Sequence, residues 1–327
     1  MSFADWIRVP RPRPYATRRL VCFPPAGFGA GFYRPWPDLL PADVELWAVQ
    51  YPGREDRFTE PCRTELTAVA AEVAAALAGA GPVSLFGHSM GASIAYETAR
   101  RLPLARALVV SGRPAPSHQR ATRTTRYLDD DAAVVAELDL LGGSQPDAFA
   151  DPELRALLLP VVRADFELIE TYCPPPAPPL DLPVLALCGS ADPRMTPAQS
   201  ADWREATTGR FTAHALTGGH FFLTDHLPEV VRLVLDHTTT KETDMPVPAE
   251  LTVDGVRASI AALLGVDVDS VGAQDNLLLL GVDSIKLMAL AGQWQRLGVE
   301  VPFLELAEDP TAEGWARLLA ATAGQTG

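Results

Sequence analysis

A chain of 327 residues with 47% hydrophobic and 21% charged residues has the composition of a folded globular protein, sized for one large domain or one large and one small. Its formal net charge of −14 argues against nucleic acid or an anionic membrane surface as partner. The charge is uneven: 11 acidic and 4 basic residues follow from Pro246 onward, so the last quarter of the chain carries half of it, either as a well-solvated surface or as a small acidic module that docks on basic partners.

The stretch Met1–Leu20 is rich in Arg and Pro and lacks the apolar core of a secretory signal. No apolar run approaches the length of a membrane span. Cys22, Cys62, Cys173 and Cys188 have no close-paired spacing, which suggests neither a zinc site nor a disulfide framework and fits thiols kept reduced in a cytoplasmic protein.

Short apolar runs then alternate with helical patterns. Strands are expected at Leu20–Phe23, Val44–Val49, Val83–Phe86, Ala107–Val110, Val184–Leu187 and, more weakly, Phe211–Leu216. Helices are expected from Thr64 to Leu77, with Leu66, Val69, Val73 and Leu77 on one side, from Ser89 to about Arg101, and from Leu227 to Leu235. Strands alternating with helices imply an α/β fold, a doubly wound and mostly parallel sheet covered on both faces. Residues from about 122 to 180 break the rhythm with helical segments at Ala132–Leu141 and Pro152–Thr171 and a Pro-rich run to Pro183. Such an insertion reads either as a lid or as a structural excursion. Residues 238–248 read as a linker: a Thr-Thr-Thr run, mixed charge, two prolines and little apolar content. Beyond it the pattern is all helical, at Leu251–Leu264, Ser284 to about Gln295 (inner face Leu287, Leu290, Ala291, Trp294) and Thr311–Leu319 with Thr311 as N-cap. This makes a small all-α bundle.

Two serines stand out. Ser89 lies in Gly87-His88-Ser89-Met90-Gly91, after a strand and before a helix. Gly-x-Ser-x-Gly there places a serine on a sharp turn, and the glycines let strand and helix approach closely. A serine hydroxyl needs a base in reach, and the base needs an orienting carboxylate. The chain order demands the acid and then the histidine, each just past a later strand. Asp192 and His220 occupy those places, His220 in Gly218-Gly219-His220-Phe221. The other histidines lack that support: His88 adjoins the nucleophile but points away, His214 lies within a strand, and His118, His226 and His237 fall in loops or helices without glycines. An oxyanion hole needs two N–H donors, here Met90 and, from the loop Pro24-Pro25-Ala26-Gly27-Phe28-Gly29, Ala26. That loop lacks the Lys-Ser/Thr pair and the glycine spacing of a phosphate cradle.

Residues 6 to 237 resemble the type II thioesterases of non-ribosomal peptide and polyketide assembly lines, a family of the α/β-hydrolase fold. The matching stretches are Leu20 to Gly27, Phe32 to Trp36, Tyr51-Pro52-Gly53-Arg54-Glu55, Gly87 to Gly91, Ser111-Gly112-Arg113, Leu159 to Tyr172 and Gly218 to Phe221. The resemblance implies hydrolysis of acyl thioesters from phosphopantetheine arms, with the insertion at about 122–180 as a helical lid. This chain has Pro25 where the family usually has His and Phe28 where it usually has Gly.

Ser284 follows Gly281-Val282-Asp283 and opens a helix. Asp-Ser there is also an ordinary helix N-cap. The surroundings, from Asp275-Asn276-Leu277 through Met288 and then Val301 to Thr311, resemble carrier proteins, most closely the aryl carrier domains of siderophore synthesis, Trp294 and Trp315 included. The resemblance implies that Ser284 receives 4′-phosphopantetheine from a phosphopantetheinyl transferase, and that an adenylating (acyl- or aryl-AMP) ligase and other carrier and synthetase modules are partners. Ile285 and Met288 fall on the outer side of the helix, as a docking patch or as ordinary exposed apolar residues.

The expected arrangement is thus a thioesterase over 1–237, a linker over 238–248 and an acyl or aryl carrier over 249–327. A tether of about 11 residues spans up to roughly 36–40 Å, so an unselective hydrolase would empty its own carrier. Acyl selectivity (editing) or deliberate offloading resolves this. Two alternatives are a carrier and docking module whose thioesterase acts in trans on other carriers, and an oxygen-ester hydrolase with no need of Ser284.

Overall fold

The computed structural model describes residues 2–121, 124–142, 149, 151–174, 176–239, 251–296, 299 and 303–325. The chain separates into two compact units, Met1–Thr239 and Thr240–Gly327. Nearly all of the expected linker, part of the 122–180 insertion and the Val301-Pro302 step of the carrier-like stretch lie outside the described residues, as does the Ile285 side chain.

The first unit is built on a seven-stranded sheet: β1 (Ile7–Arg8), β2 (Arg18–Phe23), β3 (Val44–Val49), β4 (Val83–His88), β5 (Ala105–Ser111), β6 (Val184–Gly189) and β7 (Phe211–Leu216). The order is β1-β3-β2-β4-β5-β6-β7; the pairs are parallel, apart from β1, which is antiparallel to β3. β4 and β6 are buried along their whole length, so their sequences show no in–out alternation. β7 lies at the edge with its middle exposed, which accounts for its weaker apolar signal. β1 is too short to show any periodicity and escapes sequence reading.

Helices α1 (Leu66–Leu77), α2 (Met90–Ala99) and α5 (Leu227–Thr238) flank the sheet, and α3 (Asp131–Leu141) and α4 (Pro152–Thr171) form the insertion between β5 and β6. Leu66, Val69, Val73 and Leu77 of α1 are buried in one cluster with Val21, Val49 and Leu85. Val230, Val231 and Val234 of α5 belong to a second cluster with Phe86, Leu185 and Leu187. Neighbouring residues of one strand thus feed different clusters, which is the two-face cover that a parallel sheet requires. Each fully buried Leu or Val contributes about 1.5–3 kcal/mol.

The sheet winds in opposite directions from β2 and β4. Their carboxyl ends form the switch point, where an open α/β sheet leaves a crevice.

The second unit contains α6 (Val253–Leu264), α7 (Ser284–Arg296), α8 (Phe303–Glu308) and α9 (Ala312–Gln325). Its core gathers Val256, Ile260, Leu277, Leu290, Trp294, Trp315 and Leu319. Trp294 and Trp315 meet edge to face, with centroids 5.9 Å apart, and the Trp315 indole donates to the Leu306 carbonyl at 2.8 Å. Thr311 caps α9 by accepting from the Gly314 N–H at 2.9 Å. The α8 turn is short and was not expected from periodicity. Among the described residues no helix is long and apolar enough to cross a membrane.

His237, near the end of α5, is buried, and that burial lowers its imidazole pKa to about 4. The unfolded chain binds a proton near pH 6.5 that the folded chain refuses. Stability from this group is therefore complete above pH 6.5 and is lost as pH falls toward 4. The urea midpoint of the first unit is expected to drop over that window, and His237→Leu is expected to flatten the drop; an unchanged pH profile in the variant contradicts this.

Candidate active site

Ser89 sits between β4 and α2, at φ 54° and ψ −119°, in a region that non-glycine residues rarely occupy. Strain of this kind costs about 1–3 kcal/mol and persists only where the surroundings enforce it. The surroundings do so through glycine. A Cβ on Gly87 would lie 2.2 Å from the Gly91 carbonyl oxygen, and one on Gly91 would lie 2.1 Å from that of Phe23. The turn thus closes only with bare backbone at both positions, and the Ser89 side chain is held over the end of the sheet.

His220 lies beyond β7 and Asp192 beyond β6. The His220 Nε2 is 2.9 Å from Ser89 Oγ, and its Nδ1 is 2.7 Å from Asp192 Oδ2. The other Asp192 oxygen accepts from the Arg194 N–H at 2.9 Å, which fixes the carboxylate. His220 and Asp192 are buried. The loops after β6 and β7 reach each other because Gly189 packs directly on the backbone of Gly218 and Gly219.

Three of the remaining histidines are engaged elsewhere. His88 Nδ1 lies 3.0 Å from Ser111 Oγ, and burial, reinforced by His220, holds its pKa well below the usual range, so it is a neutral neighbour of the site. His118 pairs with Asp202 at 2.6 Å, and His226 with Thr217 at 2.9 Å. His118 lies in a short helix, Pro116–Ala121.

Ser89, Met90, Ala26 and His220 line a cavity of about 310 Å³. Among the described residues, neither the Ala26 nor the Met90 N–H has a hydrogen-bond acceptor. The Met90 N–H also belongs to the first turn of α2, where the helix dipole favours developing negative charge. α3 and α4 contribute Leu138, Phe166, Ile169 and Glu170 to the cavity wall. Phe28 packs on Phe32 and Phe221, with centroids 5.1 and 5.8 Å away, so the residue that departs from the family pattern joins an aromatic cluster beside His220.

Several residues in and behind the cavity wall had no role in the sequence reading. Arg113 donates to Ser93 Oγ and Gln119 Oε1, and burial lowers its pKa to about 10. Arg126 pairs with Glu170 at 2.9 Å and with Glu137 at 3.4 Å, so the insertion between β5 and β6 carries charge into the wall. Asp165 of α4 is buried and bound to Arg54 and to the Gly27 N–H. Its signal was a carboxylate within the apolar stripe Val161, Val162, Phe166, Leu168 and Ile169.

In the second unit Ser284 is exposed at the first position of α7. Asp283 Oδ1 accepts from the Lys286 N–H at 2.9 Å. Asp283 therefore does the capping, and the Ser284 hydroxyl is not consumed by it. Met288 is exposed one turn on.

A family model for the thioesterase domain matches residues 18–238. The chain belongs to the thioesterase family. The phosphopantetheine attachment site model matches residues 254–319, so this thioesterase also carries a domain of the type that bears covalent 4′-phosphopantetheine. It is 41% identical over 240 residues to thioesterase PikA5 of Streptomyces venezuelae, covering 71% of this chain and 85% of that protein. Among solved structures, the type II thioesterase BorB from the borrelidin biosynthetic cluster superposes with a TM-score of 0.66 at 42% identity, covering 71% of this chain and 97% of that one. YbtT, a type II thioesterase from the yersiniabactin NRPS/PKS pathway, gives a TM-score of 0.64 at 32% identity, with the same coverage of both chains.

Proposed function

We propose that this thioesterase hydrolyses acyl groups from phosphopantetheine arms in non-ribosomal peptide or polyketide synthesis, with Ser89 as nucleophile. The hydrogen-bond chain Ser89–His220–Asp192, at 2.9 and 2.7 Å, carries the reading. His220 takes the Ser89 proton as Oγ attacks the thioester carbonyl, and the Ala26 and Met90 N–H groups receive the oxyanion. Collapse expels the arm's thiolate, which His220 protonates, and leaves the acyl group on Ser89. Water, deprotonated by His220, then releases the acid and restores the serine. Asp192 holds the imidazole tautomer throughout.

Residues 1–237 act as the hydrolase, with about 122–180 as the lid, residues 238–248 as the tether and 249–327 as the carrier. Ser284 takes the arm. The exposed start of a 13-residue helix suits a phosphodiester, and Lys286 lies within the same turn. An aryl load supplied by an adenylating ligase, in a siderophore-like pathway, is the finer reading of the carrier.

A second reading has its own support. The matches to PikA5 and BorB cover 85% and 97% of those chains with 71% of this one, so little of either is left to be an attached carrier. Such an enzyme serves carriers in trans. The test loads the holo protein with acetyl or with an aryl acid and follows each load by intact mass, in the parent and in Ser89→Ala. Editing predicts rapid loss of acetyl and retention of the aryl group, and offloading predicts loss of both. If neither load leaves faster than in the variant while separate carriers are emptied, hydrolysis is confined to trans.

A further inference from the structure

The loop that supplies Ala26 is a tight turn. The Phe28 N–H donates to the Pro25 carbonyl at 3.2 Å, and Gly27 has φ +80°, as the third position of a type II turn demands. What holds this turn comes from outside it. Asp165, on α4 of the lid, accepts from the Gly27 N–H at 2.7 Å through Oδ2. The same carboxylate takes a bidentate pair from Arg54, at 2.5 Å to Oδ2 and 2.7 Å to Oδ1. Arg54 Nη1 also lies 3.2 Å from the Phe28 carbonyl, so the pair grips the turn at two successive residues.

Both side chains are out of solvent: Arg54 is 7% and Asp165 1% exposed. Burying an ion pair costs several kcal/mol of desolvation per ion, and apolar side chains of similar size often serve stability as well or better. Stability alone is thus a poor reason for charge here. The guanidinium lies over the Tyr51 ring, 5.3 Å from its centroid, and the Tyr51 hydroxyl donates to the Pro24 carbonyl at 3.3 Å, extending the same support to the start of the loop.

We propose that Asp165, clamped by Arg54, is a positioning residue of the oxyanion hole: it fixes the Pro25–Phe28 turn from the lid helix and so sets the direction of the Ala26 N–H. The consequence is mechanical coupling. Phe166 and Ile169, next to Asp165 on α4, line the acyl cavity, so movement of α4 against an acyl group displaces the support of the donor. The inference rests on the role given to Ser89 and Ala26 above and adds the device that aligns them.

The test uses two double variants of the full chain, R54M/D165L and R54M/D165N. Both remove the same two charges, and only the second leaves Gly27 an acceptor. With a small acyl thioester, R54M/D165L is expected to lose kcat by about 10²-fold, the effect of one oxyanion donor, with KM within about threefold. Its Ki for a trifluoromethyl ketone analogue, whose hemiketal oxygen occupies the hole, is expected to rise in parallel with the kcat loss. R54M/D165N is expected to recover most of both. Equal kcat in the two variants, or a kcat loss that leaves the ketone Ki unmoved, overturns the proposal. Should R54M/D165L not fold, D165N alone decides it: kcat within tenfold of the parent supports the proposal and a 10²-fold loss refutes it. A parent protein that hydrolyses no thioester fails the functional reading itself, a result separable from all of these.

Discussion

Ser89→Ala is expected to lower kcat for thioester hydrolysis by about 10⁴–10⁶-fold while leaving KM nearly unchanged. In the proposed mechanism every covalent step passes through Ser89 Oγ, so the loss is not shared with another group. The residual rate comes from the oxyanion donors and binding alone. The substitution removes a single atom from a position whose backbone is enforced by Gly87 and Gly91, so the fold is retained and the unfolding midpoint stays close to the parent's. Release of thiol from a small acyl thioester measures the effect. A variant within tenfold of the parent places the chemistry elsewhere.

Ser284→Ala is expected to act all or none on the carrier. A phosphopantetheinyl transferase should add the mass of one arm to the parent and nothing to the variant. The reason is chemical: the arm enters as a phosphodiester on a hydroxyl, and alanine offers none. Because Asp283 caps α7, the substitution leaves the helix start intact, and loss of modification cannot be put down to loss of the helix. Arm addition to the variant contradicts the assignment. Hydrolysis of free substrates should be the same in both proteins, which separates the two serines functionally.

Much of this was legible in the residues because the determinants are local. Buried parallel strands announce themselves as short apolar runs, and the bounds expected for β3 and β7 match those found. Asp192 and His220 could be reached from chain order and their glycines, since backbone must approach backbone where the loops after β6 and β7 meet. Asp165 could not be assigned a role in that way. Its partners, Gly27 and Arg54, lie 138 and 111 residues away, and nothing in a one-dimensional pattern pairs a carboxylate on α4 with a loop N–H. Arg54 stood inside a stretch quoted for its family likeness without a stated purpose; the fold supplies one. β1 and α8 escaped because two or six residues cannot express a period.

The central claim is that Ser89 opens a thioester that a phosphopantetheine arm presents. It is tested most directly by following an acyl group on a separate holo carrier by intact mass, with either the parent or Ser89→Ala added. The account predicts that the parent strips the carrier while the variant leaves it loaded, at the rate seen with no enzyme. Equal loss with both proteins, or loss with neither across acetyl, longer aliphatic and aryl loads, contradicts it.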